Sequence, residues 1–148
     1  MEIDIQKKIA EILNLSSEGV KPLSKEEQNG LYATAFKLYN DGNYETAAEI
    51  FTKLVLSAPF NHGFWKGLAS SEQMKKDFTA ALHAWCMVVL LNDKDPLPHF
   101  HAAECYLSQG DAEEAHKALI AAEKLLNLET EEGKHLAAKI NMLKTRTQ

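Results

Sequence analysis

The sequence predicts an all-α protein built from three consecutive helical hairpins of equal length. Alanines recur every 34 residues, at Ala35, Ala69 and Ala103 and again at Ala47, Ala81 and Ala115. Larger apolar residues keep the same spacing at Phe51, Trp85 and Leu119. No stretch shows the strict alternation of apolar and polar residues that indicates a β-strand. An unbroken period of this length indicates stacked helical repeats. The units run over residues 28–61, 62–95 and 96–129.

The 148-residue chain begins with a predicted helical region and linker over residues 1–27. Four large aliphatic residues lie at helical spacing within residues 3–15, as expected for an amphipathic helix: Ile5, Ile9, Ile12 and Leu13. Gly19 and Pro22 then indicate a linker. The linker ends in Ser24-x-x-Glu27, the pattern of a capping box that starts a helix.

Each predicted unit contains two helices joined by a short turn. Gly42 and Gly110 are suited to the end of a first helix. The next positions, Asn43, Asp77 and Asp111, are suited to the N-cap of a second helix. After the third unit, residues 130–148 predict a capping helix and tail. Thr130 is its N-cap, and its apolar stripe consists of Leu136, Ala137, Ile140 and Leu143.

These units resemble the tetratricopeptide repeat, a 34-residue helical hairpin with conserved small and aromatic positions. In the second unit, Trp65, Leu68 and Ala69 supply most of the pattern of the first helix. The pairs Ala47–Phe51 and Ala81–Trp85 supply that of the second helix, whereas Glu72 replaces the usual Tyr. The resemblance implies a right-handed superhelix whose first helices line a concave groove.

One apolar stripe is left over after the hairpins have been packed. Tyr32, Phe36 and Tyr39 follow at i, i+4 and i+7, rotated away from the packing positions of the same helix. An exposed aromatic stripe of this kind generally marks a partner site. The competing interpretation is that the N-terminal helix covers the stripe and enlarges the core. The equivalent groove positions elsewhere include Lys66, Ser70 and Gln73 with Met74 beside them, and Phe100, Glu104 and Leu107 with Leu97 one turn earlier.

Several stretches resemble one family more closely, the class II chaperones of bacterial type III secretion. They are residues 31–39, 42–44 and 64–68, residues 98–105, and Gly110-Asp111. The resemblance covers about residues 20–145. It implies a cytoplasmic bacterial protein that keeps hydrophobic translocator proteins soluble and competent for secretion. The client would lay a short extended segment, with Pro and Leu anchors, in the groove.

The resemblance also implies roles for particular residues. The pocket aromatics of the family match Tyr32, Phe36 and Tyr39, with Tyr44 nearby. Many relatives self-associate through the N-terminal helical region, which implies a homodimer through Ile5, Ile9, Ile12 and Leu13. The full predicted peptide-binding set is Tyr32, Phe36, Tyr39, Tyr44, Lys66, Met74, Leu97, Phe100, Glu104 and Leu107.

Composition and motifs disfavour other classes of function. A net charge of −5 argues against nucleic acid as the main partner. No segment has the ~20 apolar residues of a membrane span, and the N-terminus does not have the features of a secretory signal. Cys86 and Cys105 do not form a CxxC pair, and we expect both to be reduced, buried thiols. The sequence contains neither an HExxH motif nor a phosphate-binding loop, so we expect no enzyme activity, metal or cofactor.

Two related functions stay open at this point. A general tetratricopeptide scaffold or co-chaperone that grips a C-terminal carboxylate needs Lys, Asn and Arg converging in the groove, where this sequence offers Lys66 as the lone cation. A chaperone for another subunit of a secretion apparatus would share the fold and differ only in its partner.

Overall fold

The computed structural model describes residues 22–148, and this part of the chain is helical without a β-strand. The bounds of its α-helices are α1 Lys25–Asn40, α2 Tyr44–Ser57, α3 His62–Met74, α4 Phe78–Leu91, α5 Leu97–Ser108, α6 Ala112–Lys124 and α7 Glu131–Lys144, and a 3-10 turn follows at Thr145–Thr147. The predicted all-α fold class is confirmed. The predicted helix over residues 3–15 lies outside the described residues, as do Ile5, Ile9, Ile12 and Leu13.

The described helices fall into two compact units, one up to Met87 and one from Val88, and the division lies within α4. In the first unit α1 packs on α2 and α2 on α3. In the second unit α5 packs on α6, and α6 packs on α7. Each of the three predicted repeats therefore contributes a consecutive pair of helices.

The core of the first unit consists of the residues that recur with the 34-residue period. Ala35, Ala47, Phe51 and Ala69 are all buried. The indole of Trp65 is also buried, and its Nε1 donates a hydrogen bond to the carbonyl oxygen of Pro59 at 2.9 Å, so burial leaves no unpaired donor there.

The second unit has its own core, in which the third hairpin packs against the last helix. Leu119 from α6 and Leu136 and Ile140 from α7 are buried together with small residues of α5 and α6. The prediction of a capping helix is confirmed, since α7 covers the apolar face of α6 that a next repeat would otherwise cover. Thr130 caps α7 as predicted, because its side chain accepts a hydrogen bond from the Gly133 N–H.

The three turns within the repeats have the same backbone although their sequences differ. In each turn two backbone N–H groups bond back to the preceding helix: Asn43 to Leu38 O and Gly42 to Tyr39 O, Asp77 to Glu72 O and Lys76 to Gln73 O, Asp111 to Tyr106 O and Gly110 to Leu107 O. This pair of backbone hydrogen bonds defines a Schellman cap. Its left-handed residue has φ of 84° at Gly42 and 78° at Gly110, and the second repeat places Lys76 there with φ of 68°.

The predicted N-caps are confirmed with one exception. Ser24 and Glu27 form both hydrogen bonds of the capping box. Asp77 and Asp111 accept hydrogen bonds from backbone N–H groups three residues on. Asn43 occupies the N-cap position of α2, but its side chain makes no capping hydrogen bond, so the prediction is wrong for that side chain. The Asn43 position is fixed instead by its backbone bond to Leu38.

Candidate peptide-binding face

One side of α1 carries three aromatic rings that border a common cavity, and we call these rings the aromatic face: Tyr32, Phe36 and Tyr39. Tyr32 is 37% exposed and Phe36 is 52% exposed. Their ring centroids lie 6.2 Å apart. Tyr32 and Phe36 therefore form an apolar surface open to solvent within the first unit, as predicted from the spacing of the residues, and Tyr39 is partly buried.

Tyr32 is held in place by the core beneath it. Its ring meets the Phe51 ring edge-on at 6.1 Å and lies 5.5 Å from the ring of Phe64. Both partners are buried. Aromatic pairs at this separation are favourable beyond their buried area. Tyr32 thus belongs partly to the core and partly to the surface, whereas Phe36 projects further into water.

At one end of the aromatic face, the Tyr39 ring packs edge-on against the ring of Tyr44 from α2, with ring centroids 5.2 Å apart. Burial, and to a smaller extent the neighbouring Tyr44, raises the pKa of Tyr39 above its ordinary value. The Tyr39 hydroxyl therefore stays protonated at neutral pH and can donate a hydrogen bond to a carbonyl of a bound chain.

A cavity of about 230 Å³ opens between the aromatic face and α3. Phe51 also borders it, and the α3 side consists of Gly63, Lys66, Gly67 and Ser70. These four lie at i, i+3, i+4 and i+7, so they share one face of the helix. The predicted groove positions included Lys66 and Ser70 but not Phe51, Gly63 or Gly67. The run of small residues at helical spacing was the signal for this wall.

The equivalent positions of the third repeat do not form a second exposed face. Phe100 is 6% exposed and packs in the core of the second unit, with Ala103, Ala115 and Leu119. The expectation that the Phe100 ring is left exposed is therefore wrong, because this core uses the ring, and a part for Phe100 in client binding stays a prediction. Glu104 is half-buried, and its Oε1 lies 2.6 Å from His101 Nδ1.

The remaining predicted positions are divided between surface and core. Leu107 packs against the core of the second unit. Leu97 is exposed and lines a separate cavity of about 700 Å³ between the starts of α5 and α7. Met74 is exposed at the end of α3 and does not line the cavity beneath the aromatic face.

The two cysteine side chains, Cys86 and Cys105, differ in their burial. Cys105 is buried as predicted, and burial raises its pKa to about 12, which keeps the thiol protonated and unreactive at neutral pH. Cys86 is exposed, so the prediction that it is buried is wrong. Its place on α4 turns it to solvent while its neighbour Trp85 is buried.

Neither a metal centre nor a membrane span is found in the described part of the chain. Residues 22–148 contain no group of three or more His, Cys, Asp or Glu side chains that could hold a metal ion. No helix among them is both long enough and apolar enough to cross a membrane.

Comparison with known proteins supports the repeat frame. A tetratricopeptide repeat family model matches residues 29–54 and 62–86, within the first two predicted units. Low calcium response locus protein H of Yersinia pestis is 32% identical over 74% of this chain. The same protein of Yersinia pseudotuberculosis is 30% identical over 82% of this chain. The matched regions span 65% and 71% of the lengths of these two relatives.

The chain therefore belongs to the family of class II type III secretion chaperones with tetratricopeptide repeats. Structures of other members of this family have been solved and are similar to the described part of this chain. One is the Yersinia enterocolitica chaperone SycD in complex with a peptide of the translocator YopD, with a TM-score of 0.79, 29% identity, and coverage of 84% of this chain and 94% of SycD. Another is PcrH with the chaperone-binding region of PopD, with a TM-score of 0.77, 27% identity, and coverage of 84% and 93%. SycD has also been solved as an alternative dimer.

Proposed function

We propose that this class II chaperone binds hydrophobic type III secretion translocators in the bacterial cytoplasm, through an extended client segment laid on the aromatic face. The observation that carries the proposal is an exposed set of aromatic rings over a cavity in a member of this family. SycD and PcrH are related chaperones whose structures contain translocator segments.

The chemistry of the face suits such a segment. Apolar anchors of the client remove water from the rings of Tyr32 and Phe36 and from the cavity beside them. The Tyr39 hydroxyl and the backbone of an extended chain are complementary, because each peptide unit offers a carbonyl acceptor. Contact with a few side chains gives moderate affinity, which allows release before export.

The chaperone effect follows from mass action and requires no chemical reaction. A translocator that binds the face is withdrawn from the population that aggregates or inserts early into a membrane. A carboxylate-gripping co-chaperone fits this surface less well. Among the described residues that line the cavity, Lys66 is the one cation, and the others are aromatic or small.

The test is co-expression pull-down from the native cytosol with the bound protein identified by mass. We expect the wild-type chain to recover a hydrophobic secreted protein, and Tyr32→Ala combined with Phe36→Ala to lose it while helical circular dichroism is retained. Phe36→Ala alone should also weaken recovery, because it removes one ring of the aromatic face. The Phe36 ring is half in water and contributes little to the core, so the fold of this variant should be unchanged.

Phe60→Ala is the matched control. Phe60 is 67% exposed and lies in the turn between α2 and α3, outside the residues that line the cavity. It should recover the client as the wild type does. Full recovery by the Tyr32→Ala, Phe36→Ala variant would contradict the proposal, and recovery of the C-terminus of a major heat-shock chaperone would favour the co-chaperone scaffold.

We also propose that the chain forms a homodimer, which the SycD dimer supports. We further propose that the interface consists of Ile5, Ile9, Ile12 and Leu13. Removal of residues 1–20 should weaken self-association more than client binding. Sedimentation velocity that is unchanged by the deletion would contradict this role.

A further inference from the structure

The two glycines that line the cavity beneath the aromatic face have different reasons to be there. A Cβ placed on Gly67 would lie 2.2 Å from the Phe51 ring, and Phe51 is buried in the core. Gly67 is therefore required for α3 to pack on α2. A Cβ placed on Gly63 would meet, within 4 Å among the described residues, a single atom, Asn61 Oδ1 at 3.2 Å.

Gly63 is not required by its backbone either. It lies in the first turn of α3 and is absent from the described positions with positive φ. Glycine within a helix is less stable than alanine at the same position because its backbone loses more conformational freedom on folding. Gly63 leaves room for the Asn61 side chain, whose Oδ1 accepts the N-cap hydrogen bond from the Phe64 N–H at 3.1 Å. It also leaves open space in the wall of the cavity, one helical turn before Gly67.

The cavity is of a size that suits one large side chain. At about 230 Å³ it exceeds the ~150 Å³ apolar cavity that takes up benzene in a known engineered protein. Aromatic rings form one wall and small residues of α3 the other, so a planar or branched apolar group fits between them.

We infer that Gly63 sets the largest size of apolar client anchor that can enter this cavity. This inference rests on the proposed function, because it assigns the specificity of the same face. Any side chain at position 63 would narrow the cavity from the α3 side and exclude large anchors before small ones.

The experiment measures the dissociation constant of a labelled peptide, the YopD segment that was crystallised with SycD, for four forms of the full chain. We expect Gly63→Leu to weaken binding at least tenfold and Gly63→Ala to weaken it about twofold to fivefold. Gly30→Leu is the control, because a Cβ at Gly30 meets nothing within 4 Å and Gly30 does not line the cavity. It should bind as the wild type does. Circular dichroism and urea unfolding confirm that each form is folded, and Gly63→Ala carries the test if the leucine variant is not.

A second panel separates size selection from general damage to the site. Each large apolar residue of the peptide is replaced by alanine in turn. One of these peptides should bind the wild type and the position-63 variants with equal affinity, because it no longer has the anchor that the cavity holds. Equal binding of the unsubstituted peptide to the wild type and to both position-63 variants would overturn the inference and leave the proposed function intact. Failure of the wild type to bind the peptide, together with failure to recover a hydrophobic secreted protein in the pull-down, would overturn both.

Discussion

Phe36 and Phe100 come from the first helices of the first and third repeats, and both were expected on a binding surface. Phe36 is 52% exposed on the aromatic face, whereas Phe100 is 6% exposed within a core. The core around Phe100 includes Ala103 and Leu119 and is completed by α7. Phe100 lies two 34-residue periods after Tyr32, which is 37% exposed, so the same register position is exposed in one repeat and buried in another. Exposure at this position is therefore decided by what packs beside it.

The largest expected effect tests this difference directly. Phe100→Ala should lower the free energy of unfolding by about 3–5 kcal/mol, because it leaves a cavity in a packed core. Phe36→Ala should lower it by less than about 1 kcal/mol, since the ring is already half in water. Urea unfolding of both variants at one pH measures the two values. Equal losses would contradict the separation of core from face.

The backbone of the turns shows the opposite behaviour, since the register determines it regardless of side chain. The second repeat holds Lys76 in the left-handed conformation that glycine adopts at Gly42 and Gly110. This conformation brings the Cβ of an L-residue close to the following carbonyl. Lys76 is therefore held in this conformation by the Schellman hydrogen bonds of its turn, in which the Lys76 and Asp77 N–H groups donate to the carbonyls of Gln73 and Glu72.

Lys76→Gly should accordingly stabilise the chain, by roughly 0.5–1 kcal/mol, because relief of the left-handed strain exceeds the added freedom of the unfolded chain. Gly110→Ala is the matched opposite and should destabilise the chain by about 1 kcal/mol, because the φ of Gly110 is positive. A Cβ there meets no atom within 4 Å, so the loss comes from backbone strain alone. Thermal unfolding of the two variants in one buffer gives the comparison. A loss of stability in Lys76→Gly would mean that the lysine side chain contributes more than the strain costs.

The sequence predicted the parts of the fold that depend on local chemistry and period. The helices, the capping box at Ser24, the N-cap at Thr130 and the buried Ala35, Ala47 and Ala69 all follow from spacing. The aromatic face was found for the same reason, because its residues lie one position after packing residues. The burial of Phe100 was missed, since it depends on contacts with helices distant in sequence.

The cavity was missed for a related physical reason. Its shape results from how closely α2 and α3 approach, and that distance is set by the Phe51 ring occupying the place of a Gly67 side chain. A one-dimensional pattern shows that residue 67 is small but not which ring fills the space. Likewise the 34-residue period predicts that position 86 is on a helix, not that its thiol faces solvent.

The register also places a charge inside the first unit. Glu72 takes the position that Leu38 and Tyr106 hold in the other repeats, and it is 9% exposed. Its Oε2 lies 3.3 Å from Lys75 Nζ, and the same nitrogen lies 3.7 Å from Glu45 Oε1. Burial raises the pKa of Glu72 above its ordinary value of 4.5, although Lys75 opposes the rise. A packing position thus buries its residue even when that residue is an acid.

The smallest expected effect is a pH dependence from this carboxyl. Because its pKa is higher in the folded chain than in the unfolded chain, the folded state holds more protons between those two values. The contribution of Glu72 to stability therefore falls as the pH rises through the window just above 4.5, and it stays low at neutral pH. Glu72→Gln removes this loss, so the stability of the variant relative to the wild type should increase from pH 4 to pH 7.

Glu45→Gln is the control, because Glu45 shares the Lys75 partner but is largely exposed. Urea unfolding across that range should show a larger relative gain for Glu72→Gln than for Glu45→Gln. A gain of the same size in the control would assign the effect to Lys75 and not to burial of the acid.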